Sequence, residues 1–168
     1  MANTEVLGSL RSADGQGIVH IENRFRAGID DLWSAFTDPS RLAQWLGDFE
    51  GDLELGGSYQ AHFFSSGANV TGRVEACEPP RHFTVANKGA QASNEQVVDA
   101  VLTADGDDTI LVLEQRGLRL DWIAAFAAGL QIHLEDLASH LAGGGRCDSD
   151  ARMSELIPAY EAVPIDGR

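Results

Sequence analysis

The chain has 168 residues, 43% of them hydrophobic, with 26 acidic against 12 basic side chains and a formal net charge of −14. That length suits one domain with a sizeable core, and the negative balance repels phosphate backbones and anionic lipid surfaces, which excludes nucleic acid as a partner. No apolar run approaches the roughly 20 residues of a membrane span, and the opening MANTEVLGSLRSADG lacks the apolar stretch of a secretory signal, so a cytoplasmic protein is expected.

Val6 to Arg11 reads as a short strand, and the turn cluster Ser12 to Gly17 leads into Ile18 to Phe25, where Val19, Ile21 and Phe25 alternate with polar residues. An opening hairpin is expected. From Gly28 the period changes, with Ile29, Leu32, Trp33 and Phe36 at helical spacing. Asp38-Pro39 starts a second short helix, with Asp38 as N-cap and Leu42, Trp45 and Leu46 on its buried side. Six strands then follow in antiparallel succession: Asp52 to Leu55, Ser58 to Ser65, Val70 to Cys77, His82 to Asn87, Asn94 to Ala104 and Thr109 to Gly117. Gly, Pro and Asp turns and a polar loop over Lys88 to Ser93 separate them.

Asp121 to Leu141 is the longest element, because Ile123, Phe126, Leu130, Leu134, Leu137 and Leu141 recur in steps of three and four on one face of an α-helix. Asp121 stands where a carboxylate satisfies free amides, and Gly143 to Gly145 offers the stop. At about 1.5 Å per residue the helix is roughly 30 Å long, enough to cover the dry face of a small antiparallel sheet. The predicted class is α+β, in one domain over residues 1–144. The tail, 145–168, holds a short helical candidate from Asp150 to Ile157, ended by Pro158, with loose chain beyond.

The stretches DDLWSAFTDPSRLAQWLGDF (Asp30 to Phe49), DLELGGSYQAHF (Asp52 to Phe63), GRVEACEPPRHFTV (Gly72 to Val85) and LTADGDDTILVLEQRGL (Leu102 to Leu118) carry a resemblance over about Leu7 to Leu141. Together they resemble the SRPBCC, or START-like, superfamily, and within it the branch named after the C-terminal domain of the activator of the heat-shock-protein-90 ATPase. The most specific pieces are W-x-A-x-T-D-P-x-x-L-x-x-W (Trp33 to Trp45) and G-R-V-x-x-x-x-P-P-R (Gly72 to Arg81). The resemblance implies a helix-grip fold: a curved antiparallel sheet of about seven strands wrapped on the long C-terminal helix, with two short helices after the first long strand. It also implies a cavity between sheet and helix that takes small apolar or polyketide-like molecules. Two positions depart from the family pattern, since Gly129 is followed by Leu130 rather than Trp, and Gln115 stands where a histidine is common.

His133 follows Leu130 by three and precedes Leu137 by four, which places it on or beside the greasy face, positioned to donate to a ligand oxygen. The simpler alternative is a border histidine bonded to Asp136 or to a carbonyl. Tyr59 and Trp122, each with an apolar body and a hydrogen-bonding end, are the leading aromatic candidates for the cavity lining. Trp33, Phe63 and Phe126 are candidates too, with the bulk that suits either a pocket wall or ordinary core. Because the resemblance implies that the concave face of the sheet and the helix line the cavity together, strand parity carries over Tyr59, Phe63, Val98 and Leu113 as lining. Gln115 is a polar strand candidate for the same side, Leu130 lies on the greasy helix face, and Arg73, opposite in parity to Val74, is expected in solvent.

Other chemistries lack their residues. Cys77 and Cys147 have no CxxC spacing and read as reduced thiols. His133 and His140 stand about 10 Å apart by helix rise, too far for one metal. Asp105, Asp107 and Asp108 lack the twelve-residue loop and closing Glu of a calcium site. No catalytic residue, metal or cofactor is therefore assigned. The expected function is non-catalytic binding of a small hydrophobic molecule. The alternatives are a polyketide cyclase or aromatase, using His133, Tyr59 or Gln115, and a protein-binding module that meets a chaperone. A homodimer is left open.

Overall fold

The computed structural model describes residues 5–89 and 94–167. Two strands, β1 (Gly8–Ala13) and β2 (Gln16–Phe25), form the opening hairpin, turning at Asp14 and Gly15, both at positive φ. Next come α1 (Ile29–Thr37) and α2 (Pro39–Trp45). Asp38 caps α2 by accepting from the Ser40 amide at 3.0 Å, and Pro39 sits in the first turn, where a missing amide costs nothing. The Trp45 indole donates to the Ala35 carbonyl at 2.9 Å and fixes the angle between the two helices.

The chain then lays down β3 (Gly47–Gly51), β4 (Ser58–Phe63), β5 (Asn69–Glu78), β6 (His82–Gly89), β7 (Gln96–Asp105) and β8 (Asp108–Leu118). A 3₁₀ turn, Leu120–Trp122, leads into α3 (Ile123–Leu141), and the chain closes with α4 (Ser149–Glu161) and β9 (Ile165–Asp166). The sheet runs β3-β4-β5-β6-β7-β8-β2-β1-β9, antiparallel throughout except for the β1–β9 pair. This is the helix-grip arrangement, α+β, with α3 held against the concave face of the sheet.

Among the described residues nine strands replace the seven or so expected. The third lies at Gly47–Gly51 rather than at Asp52 to Leu55, because the Asp52 carboxylate accepts from the Glu54 amide at 2.9 Å and bends that segment into a turn. The ninth comes from the tail, which is not loose. Its helix runs through Pro158 to Glu161, four residues past the expected end at Ile157, and Leu156 and Tyr160 are fully buried. The Tyr160 hydroxyl donates to Gln131 Oε1 at 2.5 Å and accepts from the Gly8 amide at 3.0 Å, and Arg152 grips Glu135 of α3 with two nitrogens at 2.8 and 2.7 Å. So α3 is buried on two sides, against the sheet and against α4. Asp121 does not cap α3 either. Its carboxylate sits inside the 3₁₀ turn and is held by Arg119 at 2.7 and 3.2 Å. Of the loop expected over Lys88 to Ser93, Lys88 and Gly89 belong to β6 and positions 90–93 lie outside the described residues.

On the outer face of the sheet, His82 Nε2 lies 2.6 Å from Asp99 Oδ1, with the Thr84 hydroxyl donating to the same carboxylate. The hydrogen bond to Asp99 raises the His82 pKa above its ordinary value. Burial pushes the Asp99 pKa up, but the bonds from Thr84 and His82 outweigh it and the net shift is downward. The raised histidine contributes stability in full below its unfolded value near 6.5, and that contribution fades as pH rises through the folded value. The lowered carboxylate contributes above its unfolded value near 3.9, and that contribution fades as pH falls through the folded value. Urea titrations of wild type and His82→Gln across pH 4–9 are expected to differ most between these limits, by about 1 kcal/mol or less, and to converge at alkaline pH. A constant difference across the range would sink the coupling.

Candidate functional site

Alternation along the central strands builds one wall of a cavity. Phe83, Val85 and Asn87 of β6, Gln96, Val98 and Ala100 of β7, and Leu111, Leu113 and Gln115 of β8 face inward at every second position. The helix supplies the opposite wall with Phe126, Gly129, Leu130 and His133, at steps that keep one helical face. Phe36 of α1 and Leu42 and Trp45 of α2 contribute a further part, and Ser149 and Met153 of α4 another. The space between these walls, open on one side, is about 490 Å³, within the usual range for a small-molecule site.

Of the ten residues singled out from sequence, Tyr59, Phe63, Val98, Leu113, Gln115, Trp122, Phe126, Leu130 and His133 line this cavity. Trp33 does not. It packs edge-on against Phe36 at 5.5 Å and Phe83 at 5.7 Å, one layer behind the surface those two rings present. Trp122 stands at the rim, 56% exposed, with the Arg119 guanidinium 5.3 Å from its ring. Arg73 is in solvent, paired with Glu75 and Glu95.

The polar groups of the cavity meet one another. The Tyr59 hydroxyl donates to Asn87 Oδ1, and the Gln115 amide donates to Gln96 Oε1 at 3.0 Å. His133 Nε2 lies 2.9 Å from Ser65 Oγ, and its ring stacks on Phe63 at 5.8 Å. The expected partner Asp136 is taken elsewhere, accepting from the Cys147 amide at 2.8 Å. Burial drives the His133 pKa down to about 4, so the imidazole is neutral at pH 7, and burial pushes the Tyr59 phenol well above its ordinary value. Among the described residues no three His, Cys, Asp or Glu side chains are grouped to hold a metal ion.

Asn87, Gln96, Ser65 and the α4 residues escaped the sequence reading. For Asn87 and Gln96 a signal existed, since they continue the parity of Val85 and Val98. For Ser149 and Met153 none did, because they reach the cavity through the packing of a tail helix on α3.

Gly72 lies on β5 between Tyr59 and Asn87, in register with both. A Cβ there would collide with the Tyr59 ring and come within 2.5 Å of Asn87 Oδ1. The missing side chain lets the Tyr59–Asn87 hydrogen bond cross over the intervening strand. Gly72→Ala is expected to break that bond at a cost of about 2–4 kcal/mol, read as a lower urea midpoint at unchanged slope. A loss under half that would show that the two side chains can move apart freely.

Residues 26–142 match the family model described as Activator of Hsp90 ATPase homolog 1-like protein. The chain belongs to that family. No curated protein matches it. This activator-like chain is similar to the crystal structure of CalU16 from Micromonospora echinospora, with a TM-score of 0.77 and 26% identity over 96% of this chain and 98% of that one. It is similar to DynU16, a protein in the dynemicin biosynthetic locus, with a TM-score of 0.71 and 26% identity over 81% of this chain and 51% of that one. It shares its fold with a Bordetella parapertussis protein, with a TM-score of 0.73 at 19% identity over 100% of this chain and 97% of that one. No helix among the described residues is long and apolar enough to cross a membrane.

Proposed function

We propose that this chain binds a small, predominantly apolar molecule in the cavity between the sheet and α3, and does so without catalysing a reaction on it. The observation that carries this reading is the lining itself. It is apolar apart from three mutually bonded pairs, Tyr59–Asn87, Gln96–Gln115 and His133–Ser65, a few serines and the rim indole of Trp122. Such a surface gains free energy by exchanging water for hydrocarbon or ring carbon, and the few polar groups orient what enters. The similarity to DynU16, which the dynemicin biosynthetic locus contains, supports a small-molecule partner over a macromolecular one.

A cyclase or aromatase reading has one observation in its favour, the neutral imidazole of His133 facing the cavity. A general base there would be weak, with a pKa near 4, and would need a carboxylate to steady the imidazolium it forms. Among the described residues its hydrogen-bond partner is a serine. Binding without turnover therefore accounts for more of the geometry.

The test is a fluorescence titration with N-phenyl-1-naphthylamine, an uncharged apolar dye. A saturable rise at one dye per chain, with dissociation in the micromolar range, is expected. A linear, non-saturating signal would mean that the cavity takes no ligand.

A further inference from the structure

Resting on the cavity as a binding site, we infer that its ligand is electrically neutral: an apolar molecule whose polar atoms are carbonyl, ether or hydroxyl oxygens, and which carries no carboxylate, phosphate or ammonium group. Among the described lining residues there is no Asp, Glu, Lys or Arg, although the chain as a whole has 38 such side chains by adding its 26 acidic and 12 basic residues. The two lining groups that can ionise, Tyr59 and His133, are both held in their uncharged forms by burial.

Four arginines on neighbouring elements have partners of their own, and Lys88, between the lining residues Asn87 and Gly89, is exposed and has the opposite strand parity. Arg41 bonds Asp31 at 2.7 Å, Arg119 bonds Asp121, Arg152 bonds Glu135, and the Arg146 guanidinium stacks over the Phe64 ring at 4.9 Å. An anion entering the cavity would lose its hydration with no counter-charge to replace it. The exterior charge of −14 opposes its approach as well. An ammonium group would be drawn to that exterior, but inside it would find aromatic faces and no carboxylate, and ring faces replace only part of its hydration.

What the lining offers instead is amide dipoles. With Asn87 Oδ1 accepting from Tyr59 and Gln96 Oε1 accepting from Gln115, the nitrogens of Asn87 and Gln96, neighbours in register across β6 and β7, remain as donors without a partner among the described residues. Such donors suit a neutral oxygen.

Three probes on one ring system test the inference: methyl anthracene-9-carboxylate, anthracene-9-carboxylate and 9-(aminomethyl)anthracene, titrated at pH 7.5 by their own fluorescence. The ester is larger than the acid, so bulk alone favours the acid. The expected result is that the ester binds at least tenfold more tightly than either ion. An ion that matches the ester overturns the inference while leaving the binding reading in place. If no probe binds and N-phenyl-1-naphthylamine also fails, the binding reading falls and takes the inference with it. Gln115→Lys, which adds a cation to the lining, is expected to move the acid-to-ester ratio at least tenfold toward the acid. A folded variant with the ratio unchanged would also overturn the inference, and the wild-type comparison decides if the variant does not fold.

Discussion

Gly129→Phe is expected to weaken dye binding by more than tenfold and at the same time raise the stability of the chain. Gly129 sits in the interior of α3, faces the cavity, and has open space where a Cβ would be built. A glycine in a helix interior is unfavourable by about 1 kcal/mol relative to alanine, and phenylalanine recovers part of that. The new ring also buries apolar surface in a space of about 490 Å³ that no side chain fills. Together these effects stabilise by about 1–2 kcal/mol, a few degrees in melting temperature for a chain of this length. The same ring occupies the volume that a ligand needs, so affinity falls by more than tenfold. Function and stability then move in opposite directions, which is the mark of a cavity kept open for a guest. Gly129→Phe with undiminished dye affinity would place the dye elsewhere on the molecule.

Leu156→Ala is expected to cost about 2–5 kcal/mol, the range for truncating a leucine in a closed core. Leu156 has no exposed surface, and it lies on the buried side of α4 between Arg152, which grips Glu135, and Tyr160, which meets Gln131 and the Gly8 amide. In a loose tail the same substitution would change stability by no more than about 0.5 kcal/mol. Guanidinium denaturation separates these outcomes. Because Ser149 and Met153 of the same helix form part of the cavity wall, weaker dye binding in this variant is expected to accompany the loss of stability.

The parts of this fold that could be read from the chain were those governed by local repetition. The steps of three and four along Ile123, Phe126, Leu130 and Leu134 marked α3, and the alternation through Tyr59 and Phe63, and through Leu113 and Gln115, marked both the strands and the side of each that faces inward. The Asp38-Pro39 start of α2 was legible because a cap and an N1 proline act within one turn. The errors had a common origin in partners distant along the chain or in competition at short range. Asp121 lost its capping role to Arg119 two residues away. Trp33 had the right type and spacing for a cavity residue, but Phe36 and Phe83 stand in front of it.

The amino-acid sequence by itself determined the order of strands and helices as far as α3, though not the position of β3, together with the apolar face of α3 and the absence of charge from the inward positions that it marked, since each follows from side-chain periodicity and residue type. Only the tertiary structure decided that the tail closes the far side of α3 and that Tyr59 reaches Asn87 across Gly72. Both depend on distances between residues remote in the chain, Gln131 to Tyr160 in one case and Tyr59 to Asn87 in the other, and no local pattern encodes such separations.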